Sequence, residues 1–96
     1  MGKGEGEQMR NEKIWVSISD QEKGTGQASY MVRVLKRKGI QAHTDYSPYF
    51  GYTSVAVKIV PTKKNLQKVN MILKRETGDG IDVDGVFSNI RRGVPQ

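Results

Sequence analysis

Apolar and polar residues alternate along four short stretches of the chain, and in two longer stretches apolar residues recur every three or four positions. Residues 14–19, 40–46 and 53–60 alternate, which predicts half-buried strands. Residues 27–38 and 63–76 have the spacing of amphipathic helices, and glycines follow both. The last alternating stretch, Ile81, Val83 and Phe87, predicts a fourth strand. The predicted order is strand, helix, strand, strand, helix, strand.

This order is that of the ferredoxin-like βαββαβ motif, an α+β fold with a four-stranded antiparallel sheet and two helices on one face. Each strand has one strongly apolar side and each helix has one apolar stripe, as such an arrangement requires. The other sheet face would then be open. Strand alternation places Trp15, Ser17, Ala56 and Lys58 on that face, with His43 beside them.

The size of the chain favours a single domain, because 96 residues support only one modest core. We assign residues 13–90 to this domain, residues 1–12 to a flexible N-terminal tail and residues 91–96 to a short C-terminal tail. The longest apolar runs are far below the roughly 20 residues that span a bilayer. We therefore expect a soluble, cytoplasmic protein without a membrane partner.

The chemistry open to the chain is narrow, since it contains no Cys and only one His. Sulfur-based zinc sites, thiolate catalysis and multi-histidine metal sites are excluded. The loop around Gly24 and Gly26 precedes a helix, where an anion is favoured, but it lacks the pattern of a P-loop. We expect no cofactor, no metal and no catalytic residue.

Positive charge is concentrated in the middle of the sequence. Residues 31–76 carry ten basic and two acidic side chains, a net +8, whereas residues 1–30 (four basic, five acidic) and 77–96 (two basic, three acidic) carry −1 each. A field of this size attracts polyanions, so nucleic acid or an acidic protein surface is the expected partner. The alternative is an ordinary solvated surface.

Aromatic residues are concentrated in the turn between the second and third predicted strands. Residues 46–52 hold four of the seven aromatic side chains, and Pro48 and Gly51 mark the turn. Such rings either form a recognition loop or cover the core. We predict that Tyr49 or Phe50 contacts the partner.

Two stretches resemble RNA-recognition motif domains. Residues 14–18, with Trp15 at the stacking position, resemble their first-strand motif, and residues 50–57 resemble their third-strand motif in Gly51 and the flanking aromatics. This resemblance implies the ferredoxin-like topology and RNA binding on the sheet. The sequence departs from the motif at Ser54 and Ala56, where stacking aromatics are expected. Residues 27–76 also resemble small PII-like signalling domains in their order of elements.

The function that these features favour is non-enzymatic binding of RNA or single-stranded DNA. The alternative is a regulatory or assembly module that pairs its open sheet face with a second copy or with another protein. Stacking or packing is assigned to four aromatics and phosphate contact to seven cations: Trp15, Tyr49, Phe50 and Tyr52, and Lys36, Arg37, Lys38, Lys58, Lys63, Lys64 and Lys68.

Overall fold

The computed structural model describes residues 12–92. Most of the two predicted tails, residues 1–11 and 93–96, lies outside the described residues. In the described part, the order of elements matches the predicted one as far as the second helix, after which a third helix follows. The elements are β1 (Ile14–Glu22), α1 (Gln27–Arg37), β2 (Ala42–Ser47), β3 (Tyr52–Ile59), α2 (Lys63–Thr77) and α3 (Val83–Arg91).

The three strands form one antiparallel sheet in the order β1-β3-β2, with β3 in the centre. Val57 of β3 lies opposite Val16 of β1 and opposite Ala42 of β2, and all three side chains are buried. The β1 register shifts by one residue between Ser17 and Ser19. The apolar side of the alternating pattern therefore forms the covered face, as predicted.

The core lies between this face and the helices. Val16, Val55 and Val57 belong to the same buried cluster as Met31 and Leu35 of α1. Leu66, Val69 and Leu73 of α2 complete it. The predicted packing of both amphipathic helices against the apolar side of the sheet is confirmed.

The four-stranded ferredoxin-like fold is wrong, because the final segment is helical. The structure is an α+β fold with three strands and three helices within residues 12–92. Val83, Val86, Phe87 and Ile90 follow the i, i+3, i+4, i+7 spacing of a helix, which overrides the short alternation that predicted a strand. Asp82 caps this helix, since its side chain accepts a hydrogen bond from the Gly85 amide at 3.1 Å.

Helix α3 contacts β1 and α2 and covers the β1 side of the core. Asn70 of α2 fixes the connection that leads into it, because its side-chain oxygen accepts a hydrogen bond from the Ile81 amide at 2.7 Å. Gly80 lies so close to the Asn70 side chain that a Cβ at this position would collide with it. None of the described helices has the length and apolar character of a membrane span.

Candidate functional site

Four lysines surround one groove at the end of the sheet where β1 and β2 begin and β3 ends. The groove has a volume of about 460 Å³, and no acidic residue of the described part of the chain lines it. Positive charge is therefore concentrated at this position, and an anion would lower the repulsion. The lysines are Lys13, Lys38, Lys58 and Lys68.

Four different elements supply these lysines. Lys13 immediately precedes β1, Lys58 is the penultimate residue of β3, and Lys38 caps the C-terminus of α1. Lys68 lies in the second turn of α2, which is held next to the end of β3: the Asn65 side-chain amide donates a hydrogen bond to the Val60 carbonyl at 2.8 Å. Tertiary folding, not sequence proximity, creates the groove.

Trp15 is the large aromatic of the open sheet face at this same end. Its position opposite Lys58 confirms the predicted face, and 46 % of the residue is exposed. The ring lies 4.3 Å from the His43 ring, measured between centroids, with the planes tilted by 55°. Ala56, opposite His43 on the central strand, is buried on this face. A methyl group at position 56 leaves room for the two rings to meet across β3.

Cations flank Trp15 on three sides. Lys58 is its cross-strand partner. Lys36 and Trp15 line one recess beside the start of β2, and Arg92 and Trp15 line another between β1 and α3. We call this arrangement the basic end. It consists of Trp15, the four groove lysines, Lys36 and Arg92.

The other predicted cations lie outside the groove. Lys63 forms an ion pair with Asp84 of α3 at 3.0 Å. Arg37 lines a separate recess with Glu76, whose carboxylate also lies 3.9 Å from the Lys38 ammonium. Both members of that second pair are largely exposed, so it holds Lys38 only weakly. Lys64 is exposed on the first turn of α2.

The hairpin aromatics lie at the opposite end of the sheet. Tyr52 begins β3, about 23 Å from Ile59 at its end for a strand of this length. Tyr49 and Phe50 are 91 % and 73 % exposed, and the Phe50 ring stacks on Tyr52 with the centroids 5.8 Å apart. These rings therefore do not cover the core. They do not lie beside the lysines.

Acidic side chains border the open face at the hairpin end. Glu22 lies opposite Tyr52, and Asp20 and Asp45 lie on either side of Ser54, whose hydroxyl donates a hydrogen bond to Asp20 at 2.7 Å. Carboxylates repel phosphate groups. The open face is therefore acidic at one end and basic at the other, and only the basic end suits a polyanion.

Replacing both exposed hairpin rings, Tyr49→Ser with Phe50→Ser, is expected to leave the free energy of unfolding unchanged to within about 0.5 kcal/mol. The sequence predicts partner contact by these rings, but because the neighbouring carboxylates repel phosphates we instead expect the affinity for single-stranded oligonucleotides to stay within about twofold of that of the unchanged chain. Urea unfolding and fluorescence anisotropy measure the two quantities. A large drop in affinity would instead assign partner contact to the hairpin rings.

Two residues of the basic end lie outside the set of binding residues that the sequence predicts. Lys13 is the first residue of the predicted domain, and Arg92 belongs to the predicted C-terminal tail. The pairing of β1 with β3 brings Lys13 to the groove, and helix α3 brings Arg92 to Trp15. No local sequence pattern predicts either of these two placements.

Comparisons of the chain with protein-family models, curated proteins and solved structures gave no match. Within residues 12–92, acidic and histidine side chains form no group of three or more that is placed to hold a metal ion. The case for function therefore rests on the basic end itself.

Proposed function

We propose that this protein binds single-stranded nucleic acid, either RNA or single-stranded DNA, at the basic end. The Trp15 ring stacks on a base, and the surrounding cations contact the adjacent phosphates. The observation that carries the proposal is a half-exposed tryptophan with Lys36, Lys58 and Arg92 around it. The proposed role is binding without catalysis.

A single strand suits this surface better than a duplex. A base stacks on a protein ring only when it has left the stack of its own strand, which costs little in single-stranded segments. Lys58 is both the cross-strand partner of Trp15 and part of the groove lining, so a strand that stacks on Trp15 has the groove within reach. This path gives one stacked base and a run of phosphate contacts.

An acidic protein surface is the competing ligand for the same cations. Carboxylates would satisfy the lysines, but they give Trp15 no aromatic face on which to stack. The ring therefore favours nucleic acid. Poly-glutamate tests the distinction: if it binds as tightly as an oligonucleotide of similar charge, an acidic protein becomes the better partner.

Trp15→Ala is expected to weaken binding to single-stranded oligonucleotides by about 1 to 3 kcal/mol, the contribution of one stacked base. Trp15 is the only tryptophan in the chain, so its emission reports directly on stacking. Addition of a short oligonucleotide to the unchanged chain should quench this emission at the concentration at which anisotropy detects binding.

The matched control is Tyr49→Ala, which removes an exposed ring from the hairpin end and should leave affinity unchanged. Binding that leaves the Trp15 emission unaltered, or an equal loss of affinity in both variants, contradicts the assignment of the stacking residue. Absence of binding to RNA and DNA single strands at low salt removes the proposed function.

A further inference from the structure

Strand β1 is an edge strand. In the described part of the chain it pairs with β3 alone, so its other edge has no strand partner. The backbone N–H and C=O groups of an unpaired edge are a template for another strand. Helix α3 lies on this side of the sheet and contacts β1.

A groove of about 560 Å³ follows this edge. Its lining includes four consecutive residues of β1, from Ile14 to Ser17. Successive side chains of a strand point to opposite faces, so four consecutive residues border one groove only where it runs along the strand edge. Val86, Asn89, Ile90 and Arg92 of α3 form the opposite wall.

The composition of the edge is that of a pairing strand. Residues 14–17 contain no charged side chain and no proline, two of the devices that protect an exposed edge from pairing. The register shift after Ser17 is another such device, and it confines the available edge to this stretch. Val86 and Ile90, on the opposite wall, are both half-buried. Among the residues that the structure describes, Arg92 is the only charged one in the lining.

We propose that a second copy of this chain pairs its β1 antiparallel to β1 along this groove, so that two three-stranded sheets become one of six strands. A two-fold axis places the same uncharged segment opposite itself, which is self-complementary. A strand from another protein would have to pair with the same apolar, uncharged edge, and it would gain at most one ion pair, with Arg92, among the described residues of the lining. The inference concerns the strand edge and does not depend on nucleic-acid binding.

The pleat restricts the register of this pairing. Residues directly opposite each other in an antiparallel pair lie on the same face of the sheet. A two-fold axis perpendicular to the sheet also keeps every side chain on its own face. The axis must therefore lie between a residue and its own copy, and not between two different residue positions. Within residues 14–17, the axis can lie at Trp15 or at Val16, because each of these positions has residues of the stretch on both sides. Either axis places the two Trp15 side chains on the same open face as direct or diagonal neighbours, with Cβ atoms about 4.5 to 8 Å apart.

Salt should act on this dimer in the opposite direction from its effect on nucleic-acid binding. Each chain carries a net charge of +6, and the proposed pairing brings two basic ends close together. Screening of this repulsion stabilises the dimer as ionic strength rises, whereas phosphate contacts weaken. The two proposals therefore fail or succeed independently.

Sedimentation velocity of the full chain tests the proposal. The unchanged chain should sediment as a dimer of twice 10.8 kDa, with a dimer fraction that increases with salt. Asn89→Arg places a bulky cation on the groove wall and should shift the mass to that of the monomer. Asn89 is exposed, so the folded domain should keep its melting temperature.

Ser88→Arg is the matched control, because it adds the same charge to the neighbouring position, which lines the Lys63 side of α3 instead. It should remain dimeric. Hydrogen exchange gives a second measurement: the amides of residues 14–17 that point away from β3, every second one along the strand, should be protected at concentrations that favour the dimer and lose this protection in Asn89→Arg.

Three results overturn the proposal. One is a monomer at every concentration and salt. Another is a dimer that Asn89→Arg and Ser88→Arg leave equally intact. The third is a dimer that Asp45→Arg on the open face disrupts while Asn89→Arg does not, because the contact would then lie on the face and not on the edge.

Discussion

The double substitution Lys58→Glu with Lys68→Glu should remove most of the chain's affinity for single-stranded RNA at low salt. Both residues line the groove with Lys13 and Lys38. If each of the four lysines neutralises one phosphate of a single strand, the groove alone contributes about −2.8 to the slope of the logarithm of affinity against the logarithm of salt. That contribution corresponds to a loss of about 50-fold between roughly 50 and 200 mM salt.

The slope of the variant should be shallower by about 1.4, because two of the four phosphate contacts in the groove are gone. Its two glutamates also repel the strand from the groove. Anisotropy titrations at several salt concentrations measure both effects. Oligonucleotides of different sequence should be affected equally, since phosphate contacts carry no sequence information.

Arg33→Glu with Arg75→Glu is the control, since it makes the same change in net charge on the exposed surfaces of α1 and α2, outside the groove. This variant should keep the slope of the unchanged chain. Equal slopes and equal losses in the two double variants would mean that net charge alone attracts the strand. The groove would then have no specific role.

The sequence was sufficient to predict each helix and strand whose hydrophobic periodicity extends over several residues and whose ends are marked by capping or turn residues. Helix α2 was predicted almost to the residue, because its apolar stripe ends at glycines and Thr62 accepts a hydrogen bond from the Asn65 amide at 3.1 Å. The three strands were predicted from alternation, and their register follows from the buried side of that pattern. Core residues such as Val57 and Leu35 follow from the same signal.

The last element was missed because two periods overlap in it. Ile81 and Val83 alternate, but Val83 also begins the helical series that continues through Val86 and Ile90. Asp82 decides between the two, because its side chain caps the helix and Asp84 in the first turn complements the helix dipole. The resemblance to RNA-recognition motif domains favoured a fourth strand and was misleading at this point.

The basic end could be predicted only in part. Alternation placed Trp15 and Lys58 on one face, and strand pairing confirms that they are opposite each other. Which lysines converge depends on where α1 ends and α2 begins relative to the sheet, and this is a non-local property. The same is true of Lys63, whose ion pair with Asp84 requires a helix that was not predicted.

The opposite charge at the two ends of the open sheet face predicts the direction in which a bound strand leaves the sheet. Trp15 lies among cations, whereas Tyr52 lies opposite Glu22 and near Asp20 and Asp45. A bound strand is attracted at one end and repelled at the other, so its path is expected to leave the sheet through the groove and not along the hairpin. If β1 also pairs with its copy, the two attractive ends lie side by side and a longer strand contacts both.

Leu35→Ala is expected to lower the free energy of unfolding by about 2 to 5 kcal/mol. Leu35 is completely buried, between the sheet and α2, and no water-accessible position is available to its side chain. The substitution removes apolar contacts and leaves a cavity that the surrounding strands fill only partly. The backbone is not disturbed, because the Leu35 carbonyl still accepts the hydrogen bonds from the Lys38 and Ile40 amides that end helix α1.

Urea unfolding followed by circular dichroism measures this loss, and Met71→Ala on helix α2 is its control. Met71 is 59 % exposed, so its truncation should change the free energy of unfolding by no more than about 0.5 kcal/mol. A domain of this size has a total stability of about 5 to 15 kcal/mol, so the Leu35 variant loses a large share of it and the transition midpoint should fall clearly. Equal midpoints for the two variants would contradict the packing of α1 on the sheet, and with it the position of Lys36 and Lys38 at the basic end.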